Sequence, residues 1–127
     1  MKLYGIGADI VRISRISKLI KKKSFVNRLY SKDEIFKCNK TKNSANCFAK
    51  RFAAKEAFSK ALGTGVAKGI NFNEIVVLNE KNGKPYIKLI DKTKKIVVNK
   101  LKFKNYKISL SLSDEDKYAV AFVTIFV

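Results

Sequence analysis

Apolar positions recur along this chain at two spacings, and the change from one to the other divides it near Gly69. Leu3 to Gly7 reads as a short strand. Ile13, Ile16 and Ile20 then recur at helical steps, predicting a helix from about Ile10 to Lys22 with Arg12, Arg15 and Lys18 or Lys22 on the opposite face. A break at Lys23-Ser24 precedes Phe25 to Tyr30. Ser31-Lys32-Asp33-Glu34 matches a capping box, with Ser31 as N-cap and Glu34 reaching back, and starts a short helix to about Cys38. Lys40 to Asn46 is polar and loop-like, and a long helix from about Ser44 to Leu62 stops at Gly63, a residue type that tolerates the left-handed C-terminal turn.

Beyond Gly69 the spacing becomes that of strands. Glu74 to Asn79 and Tyr86 to Ile90 flank a turn containing Asn82-Gly83, a strong hairpin signal. Lys92 to Leu101 fits helix or strand. Ile108, Leu110 and Leu112 alternate with polar residues, and Asp114-Glu115-Asp116 turns the chain into Tyr118 to Val127. That last run is apolar on both faces and is expected to be a central strand. The architecture expected is α+β, one antiparallel sheet packed against the long helix.

One residue interrupts the long helix's apolar arc. At about 100° per residue, Ala45, Ala49, Phe52 and Ala53 flank the direction in which Glu56 points, and Lys60 follows one turn later. An unpartnered buried carboxylate costs several kcal/mol, so either Lys60, at the favourable i to i+4 spacing, or a metal ion neutralises it. Asp9 is a second candidate acid. It stands after Gly5-Ile6-Gly7, where two glycines allow another backbone or a ligand to come close, and it serves either as a helix N-cap or as a second ligand. Two such carboxylates suit magnesium, which fills its remaining positions with water and phosphate oxygens.

Composition narrows the classes. The 127 residues are expected to form a single domain, 1–127. No segment approaches the roughly 20 apolar residues of a membrane span, and Met1 to Gly5 lacks a signal peptide's apolar core, so a cytoplasmic location is expected. Cys38 and Cys47 are too few and too far apart for a zinc motif, and with no histidine in the chain they are expected as free thiols. Lys and Arg number 28 against 10 Asp and Glu, a net charge of +18. Between Arg12 and Lys42 the only acids are Asp33 and Glu34. Such a surface seeks anions, and charge alone does not choose among nucleic acid, acidic lipid, phosphate compounds and acidic proteins.

Gly5-Ile6-Gly7-Ala8-Asp9-Ile10-Val11, then Phe25 to Arg28, Ser31 to Glu34, the run Arg51 to Gly65, Asn82-Gly83-Lys84-Pro85 and Tyr118 to Ala121 occur in one order and spacing. On these segments the chain resembles the holo-acyl-carrier-protein synthases, the small trimeric branch of the phosphopantetheinyl transferases, through nearly its whole length. The resemblance implies that phosphopantetheine passes from coenzyme A to a serine of an apo acyl-carrier protein, releasing adenosine 3′,5′-bisphosphate, in fatty acid biosynthesis. It implies magnesium held by Asp9 and Glu56, with Lys60 on a phosphate oxygen and a carboxylate or metal-bound water taking the serine proton. It places Arg51, Gly63, Thr64, Gly65 and Pro85 at coenzyme A. It implies a site between subunits of a homotrimer and sets Arg15 and Arg28 against the acidic carrier protein, with Arg12, Lys18 and Lys22 as weaker candidates; apolar Leu19 and Phe25 are the residues able to supply the desolvated centre of that surface. It also favours a helix over Lys92 to Leu101.

Lys107-Ile108-Ser109-Leu110-Ser111-Leu112 departs from that pattern, because relatives often carry histidines at both ends of it. Lys107 can supply a cation to a phosphate but not a neutral imidazole base. Gly63 to Gly69 is not a nucleotide P-loop, since Lys68-Gly69 stands where Lys-Ser/Thr is required and the segment follows a helix. The rival from another class is a small basic nucleic-acid-binding protein. It accounts for the charge and leaves Glu56 unexplained.

Overall fold

The computed structural model describes residues 1–63, 69–103 and 105–127. Strand β1 spans Leu3–Arg12, followed by helices α1 (Ile13–Leu19), α2 (Lys23–Leu29), α3 (Lys32–Lys40) and α4 (Ser44–Leu62). A hairpin of β2 (Ile75–Asn79) and β3 (Pro85–Leu89), helix α5 (Asp91–Leu101), and strands β4 (Lys107–Asp114) and β5 (Tyr118–Phe126) complete the chain. The larger sheet is antiparallel in the order β1-β5-β4. The run Tyr118–Phe126 is therefore central, as its two apolar faces predict. The hairpin pairs only with itself among the described residues, forming a separate two-stranded sheet where one continuous sheet is expected from sequence.

The first strand is twice as long as its expected span, and it corrects the reading of Asp9. Asp9, Ile10 and Val11 pair with Ala121, Val120 and Ala119 of β5, so Asp9 is a strand residue and α1 starts only at Ile13. Alternation decides the outcome. Gly5, Gly7, Asp9 and Val11 point to one side, while Ile6, Ala8, Ile10 and Arg12 are exposed on the other.

On the inner side β1 lies directly on α4. A Cβ at Gly5 would sit 1.9 Å from the Ala61 carbonyl oxygen, and one at Gly7 would sit 1.9 Å from that of Ala57. Glycine on the strand and alanine on the helix let two backbones touch. Helix α4 is buried on nearly every side, with Ala49, Ala53, Ala54, Ala57 and Phe58 fully enclosed, a wider burial than the single apolar arc read from the sequence requires.

A buried ion pair fixes how α4 is turned. The Glu34 carboxylate completes the capping box at Ser31 and also accepts from Lys55 Nζ at 2.8 Å and from the Val77 backbone N–H at 3.1 Å. The same ammonium donates to the carbonyls of Phe72 and Ile75. Both side chains are wholly buried. Burial lowers Lys55 to about 8, against the opposing pull of Glu34. Removing one member of such a pair costs about 3–5 kcal/mol, because the other charge is stranded. With Lys55 locked toward the hairpin, Glu56 is carried about 100° round the helix, away from the hairpin.

Cys38 and Cys47 form a disulfide between α3 and α4, so the expected free thiols are not found. The short turn from Thr41 to Asn43 folds the two helices back on each other and brings the Cα atoms to 5.4 Å, a proximity that spacing alone does not reveal.

Two stability measurements follow. Gly7→Ala is expected to lower stability by about 3 kcal/mol or more, since backbone must move, whereas Gly83→Ala, with open space around a positive φ of 91°, costs about 1 kcal/mol. Denaturant midpoints of the two variants check the contrast. Reducing Cys38–Cys47, which closes a loop across nine positions, is expected to cost about 3 kcal/mol, read as the difference in unfolding with and without reductant.

Candidate active site

Asp9 follows Gly7 on the inner face of β1, beside the C-terminal half of α4. Lys60 reaches across to the strand, its Nζ lying 3.2 Å from Asp9 Oδ1 and 3.0 Å from the Ala8 carbonyl oxygen. The Glu56–Lys60 pair offered by the i to i+4 spacing is therefore not formed, because β1 presents Lys60 with a carboxylate and a carbonyl at once. Glu56 is half-buried beside them. Burial first, and then the Asp9 charge, raise its carboxyl above the usual range, while Lys60 and Arg15 oppose. Two acids close enough for the charge of one to be felt at the other, with the nearest amine bonded, of the two, to Asp9 alone, form a site short of positive charge.

The residues fit a hard divalent cation. No donor among the described residues bonds the Glu56 carboxylate, and its ionised form is disfavoured by the adjacent acid. A cation between Asp9 and Glu56 removes that penalty. Among the described residues no three or more of His, Cys, Asp and Glu are grouped so as to hold a metal ion. A two-carboxylate site leaves most positions to water and substrate oxygens, the pattern of magnesium.

A second group of cations lies toward the start of α4. Arg51 is 4% exposed, and its Nη2 donates to Asn79 Oδ1 at 3.0 Å, while Nη1 lies 3.3 Å from Cys47 Sγ. Lys37 Nζ donates to the same Asn79 oxygen at 2.6 Å. Lys42, Lys50 and Asp114 join them around a cavity of about 310 Å³. Lys50 is paired with Asp114 at 3.4 Å. The family resemblance singled out Arg51, whereas nothing in the sequence marked Lys37 or Asn79. They meet only through a contact between residues 42 positions apart, which no local pattern encodes.

The remaining expected residues fall as follows. Gly63 adopts φ 86° and caps α4 as expected, while Thr64 and Gly65 lie outside the described residues. Pro85 opens β3 opposite Asn79. Lys107 pairs with Phe126 whereas Asp9 pairs with Ala121. One chain thus separates Lys107 from the row of Asp9 by about 17 Å along β5. Arg15 and Arg28 are exposed, and Leu19 and Phe25 are half-buried beside them. Phe25 stacks on Phe52 with ring centroids 6.3 Å apart. This basic and apolar face borders the carboxylates, since the Arg15 charge is felt at Glu56. Arg12, counted from sequence with the same helical ridge, is instead on β1, over the Tyr118 ring at 5.2 Å.

Known proteins resemble this chain over almost its whole length. A holo-[acyl-carrier-protein] synthase of Pelagibacter ubique is 48% identical over 125 residues, covering 98% of each chain. The crystal structure of holo-[acyl-carrier-protein] synthase from Neisseria meningitidis superposes with a TM-score of 0.87 at 35% identity, covering 98% of this chain and 99% of that one. The Helicobacter pylori holo-[acyl-carrier-protein] synthase in complex with coenzyme A gives 0.79 at 33% identity, covering 95% and 99%. The model of the 4′-phosphopantetheinyl transferase superfamily matches residues 5–123, and with relatives this similar over almost every residue, the chain belongs to that family.

Proposed function

We propose that this protein is a holo-acyl-carrier-protein synthase, moving 4′-phosphopantetheine from coenzyme A to a serine of an apo acyl-carrier protein. The carrying observation is the convergence of Asp9, Glu56 and Lys60 where β1 crosses α4. Relatives named for this activity support the reading. A nucleic-acid-binding module explains neither the paired acids nor the family match.

The carrier's serine oxygen forms a bond to the phosphorus that bears pantetheine, and the bond from that phosphorus to the bridging oxygen breaks. Adenosine 3′,5′-bisphosphate leaves, and the serine proton passes to a base. Charge accumulates on the pyrophosphate oxygens, so catalysis rests on positioning and neutralisation. Asp9 and Glu56 would hold magnesium, which when bound would supply Lewis-acid neutralisation of those oxygens. Lys60 is held by Asp9 and the Ala8 carbonyl at the same place, from which its ammonium meets a phosphate oxygen as a point charge. Arg51 binds the nucleotide half, with Gly63, Thr64, Gly65 and Pro85 around the adenine and ribose.

The assembly we propose is a homotrimer. Ile6 and Ile10 are 57% and 62% exposed, and they adjoin Val120 and Phe122 on the outer face of the same sheet. Burying such a face against other copies is favourable at roughly 25 cal/mol per Å². It also offers a route by which Lys107, remote from Asp9 within one chain, reaches a neighbour's coenzyme A. Light scattering of the wild type is expected to give three times the chain mass, and Phe122→Asp to give monomer with transfer lost. A fully active monomer contradicts the assembly.

Asp9→Asn and Glu56→Gln are each expected to reduce transfer by ~10²-fold or more with the fold retained, measured as phosphopantetheine incorporated into carrier protein. Full magnesium-dependent activity in either variant defeats the assignment. Because burial and then the Asp9 charge raise the metal-free Glu56 carboxyl above its ordinary range, protons compete with the cation as pH falls, so the magnesium concentration giving half-maximal activity should climb sooner than for an ordinary carboxylate. The linked sign for stability is opposite. Folding holds the Glu56 proton more tightly than the unfolded chain does, so ionised Glu56 opposes folding at neutral pH. Glu56→Gln should therefore raise the melting temperature without magnesium, and added magnesium should raise that of the wild type alone.

Carrier docking is assigned to Arg15, Leu19, Phe25 and Arg28. An Arg15→Glu, Arg28→Glu double variant should raise KM for carrier protein about tenfold or more while leaving KM for coenzyme A near the wild-type value. Steady-state kinetics with each substrate varied in turn separates the two. Unchanged carrier kinetics makes the ridge an ordinary solvated face.

A further inference from the structure

We propose that Asn79 is a positioning residue that sets this enzyme's affinity for the phosphate groups of coenzyme A, by holding Lys37 and Arg51 side by side without neutralising either. The inference rests on the coenzyme A reading above and adds to it two residues that no sequence pattern marked. Asn79 closes β2, and its side chain makes three contacts. The Oδ1 atom accepts from Lys37 Nζ at 2.6 Å and from Arg51 Nη2 at 3.0 Å, and Nδ2 donates to the Gly83 carbonyl oxygen at 3.0 Å.

A single oxygen accepting from two cations ordinarily belongs to a carboxylate. Here it is an amide, so its dipole orients both donors while their charge remains available. Neither Lys37 nor Arg51 forms a salt bridge among the described residues, and the acid of the cavity, Asp114, is engaged by Lys50 and Asn46. Arg51 Nε is buried with no partner among the described residues. Lys37 is held below its usual range by burial, and then by the charges of Arg51 and Lys50, consistent with crowded cations lacking a counterion. Phosphate oxygens supply the missing charge, and two fixed donors suit an oxyanion better than loose surface lysines do.

The third contact gives the arrangement its specificity. By gripping the Gly83 carbonyl, Asn79 ties the cation pair to the hairpin turn two residues before Pro85, the residue assigned to the nucleoside. Phosphate and nucleoside recognition are thereby set at one distance. Asn79→Asp keeps the shape and places a carboxylate between the two cations, while Asn79→Leu keeps the bulk and releases them.

Calorimetric binding of coenzyme A and of adenosine 3′,5′-bisphosphate at several salt concentrations, with steady-state kinetics, tests the proposal. Asn79→Asp is expected to weaken both ligands about tenfold or more and to flatten the salt dependence of binding. KM for coenzyme A should rise while kcat and KM for carrier protein stay within about twofold. Lys37→Gln, at an exposed position that tolerates change, should weaken binding on its own, and combining it with Asn79→Leu should add little further loss. Unaltered binding in Asn79→Asp, a fall in kcat alone, or additive losses in the Lys37→Gln, Asn79→Leu pair would overturn the positioning role while leaving the coenzyme A assignment intact. Failure of the wild type to bind either compound would overturn both.

Discussion

The structure depends on the direct contact of two backbones, β1 against α4. With no Cβ at Gly5 or Gly7, and only methyl groups at Ala57 and Ala61, the strand comes so close to the helix that any side chain would collide with a carbonyl oxygen. Asp9 continues the same face of the strand. Its carboxylate therefore lies at the helix surface, in reach of Lys60 and felt by Glu56. Had a larger residue separated the two elements, the acids would each have found water. The site is thus a consequence of packing, and the electrostatic tension between its two acids lies where the proposed cation and pyrophosphate would bind.

A second constraint sets the rotation of α4. Lys55 and Glu56 are neighbours in sequence and lie in opposite environments. The first is completely enclosed by Glu34 and the carbonyls of Phe72 and Ile75, and the second is half-open beside Asp9. Breaking the enclosed pair strands a charge, so the helix cannot turn without large loss. The face of the helix away from Asp9 is thereby anchored as firmly as the face packed on β1, and the disulfide at its N-terminal end adds a covalent tie near Arg51.

Features with local signatures were legible in the sequence. The capping box at Ser31 and Glu34, the span of α4 and its stop at Gly63, the Asn82-Gly83 hairpin and the central place of Tyr118–Phe126 all follow from periodicity and turn chemistry. Asp9 was misread as a helix start because Asp is a favoured cap, whereas pairing with β5 extends the strand. Glu34 was understood only as half of a capping box, since its partner Lys55 stands 21 positions away. The Cys38–Cys47 bond and the Asn79 junction were hidden for the same reason. Long-range partners are chosen by topology, and a local pattern carries no record of them. Glu56 was conspicuous because it violated a local rule, and such violations concentrate at functional sites.

The proposed mechanism requires that the β1–α4 contact bring Asp9 and Glu56 together as ligands of one divalent ion. Manganese is a magnesium substitute that can be located by its anomalous scattering, and crystals grown with manganese and coenzyme A provide the direct measurement. A single strong peak is expected at bonding distance from both carboxylates and from a pyrophosphate oxygen. A peak bound to only one of the two acids, or coenzyme A seated with no metal between them, would contradict it.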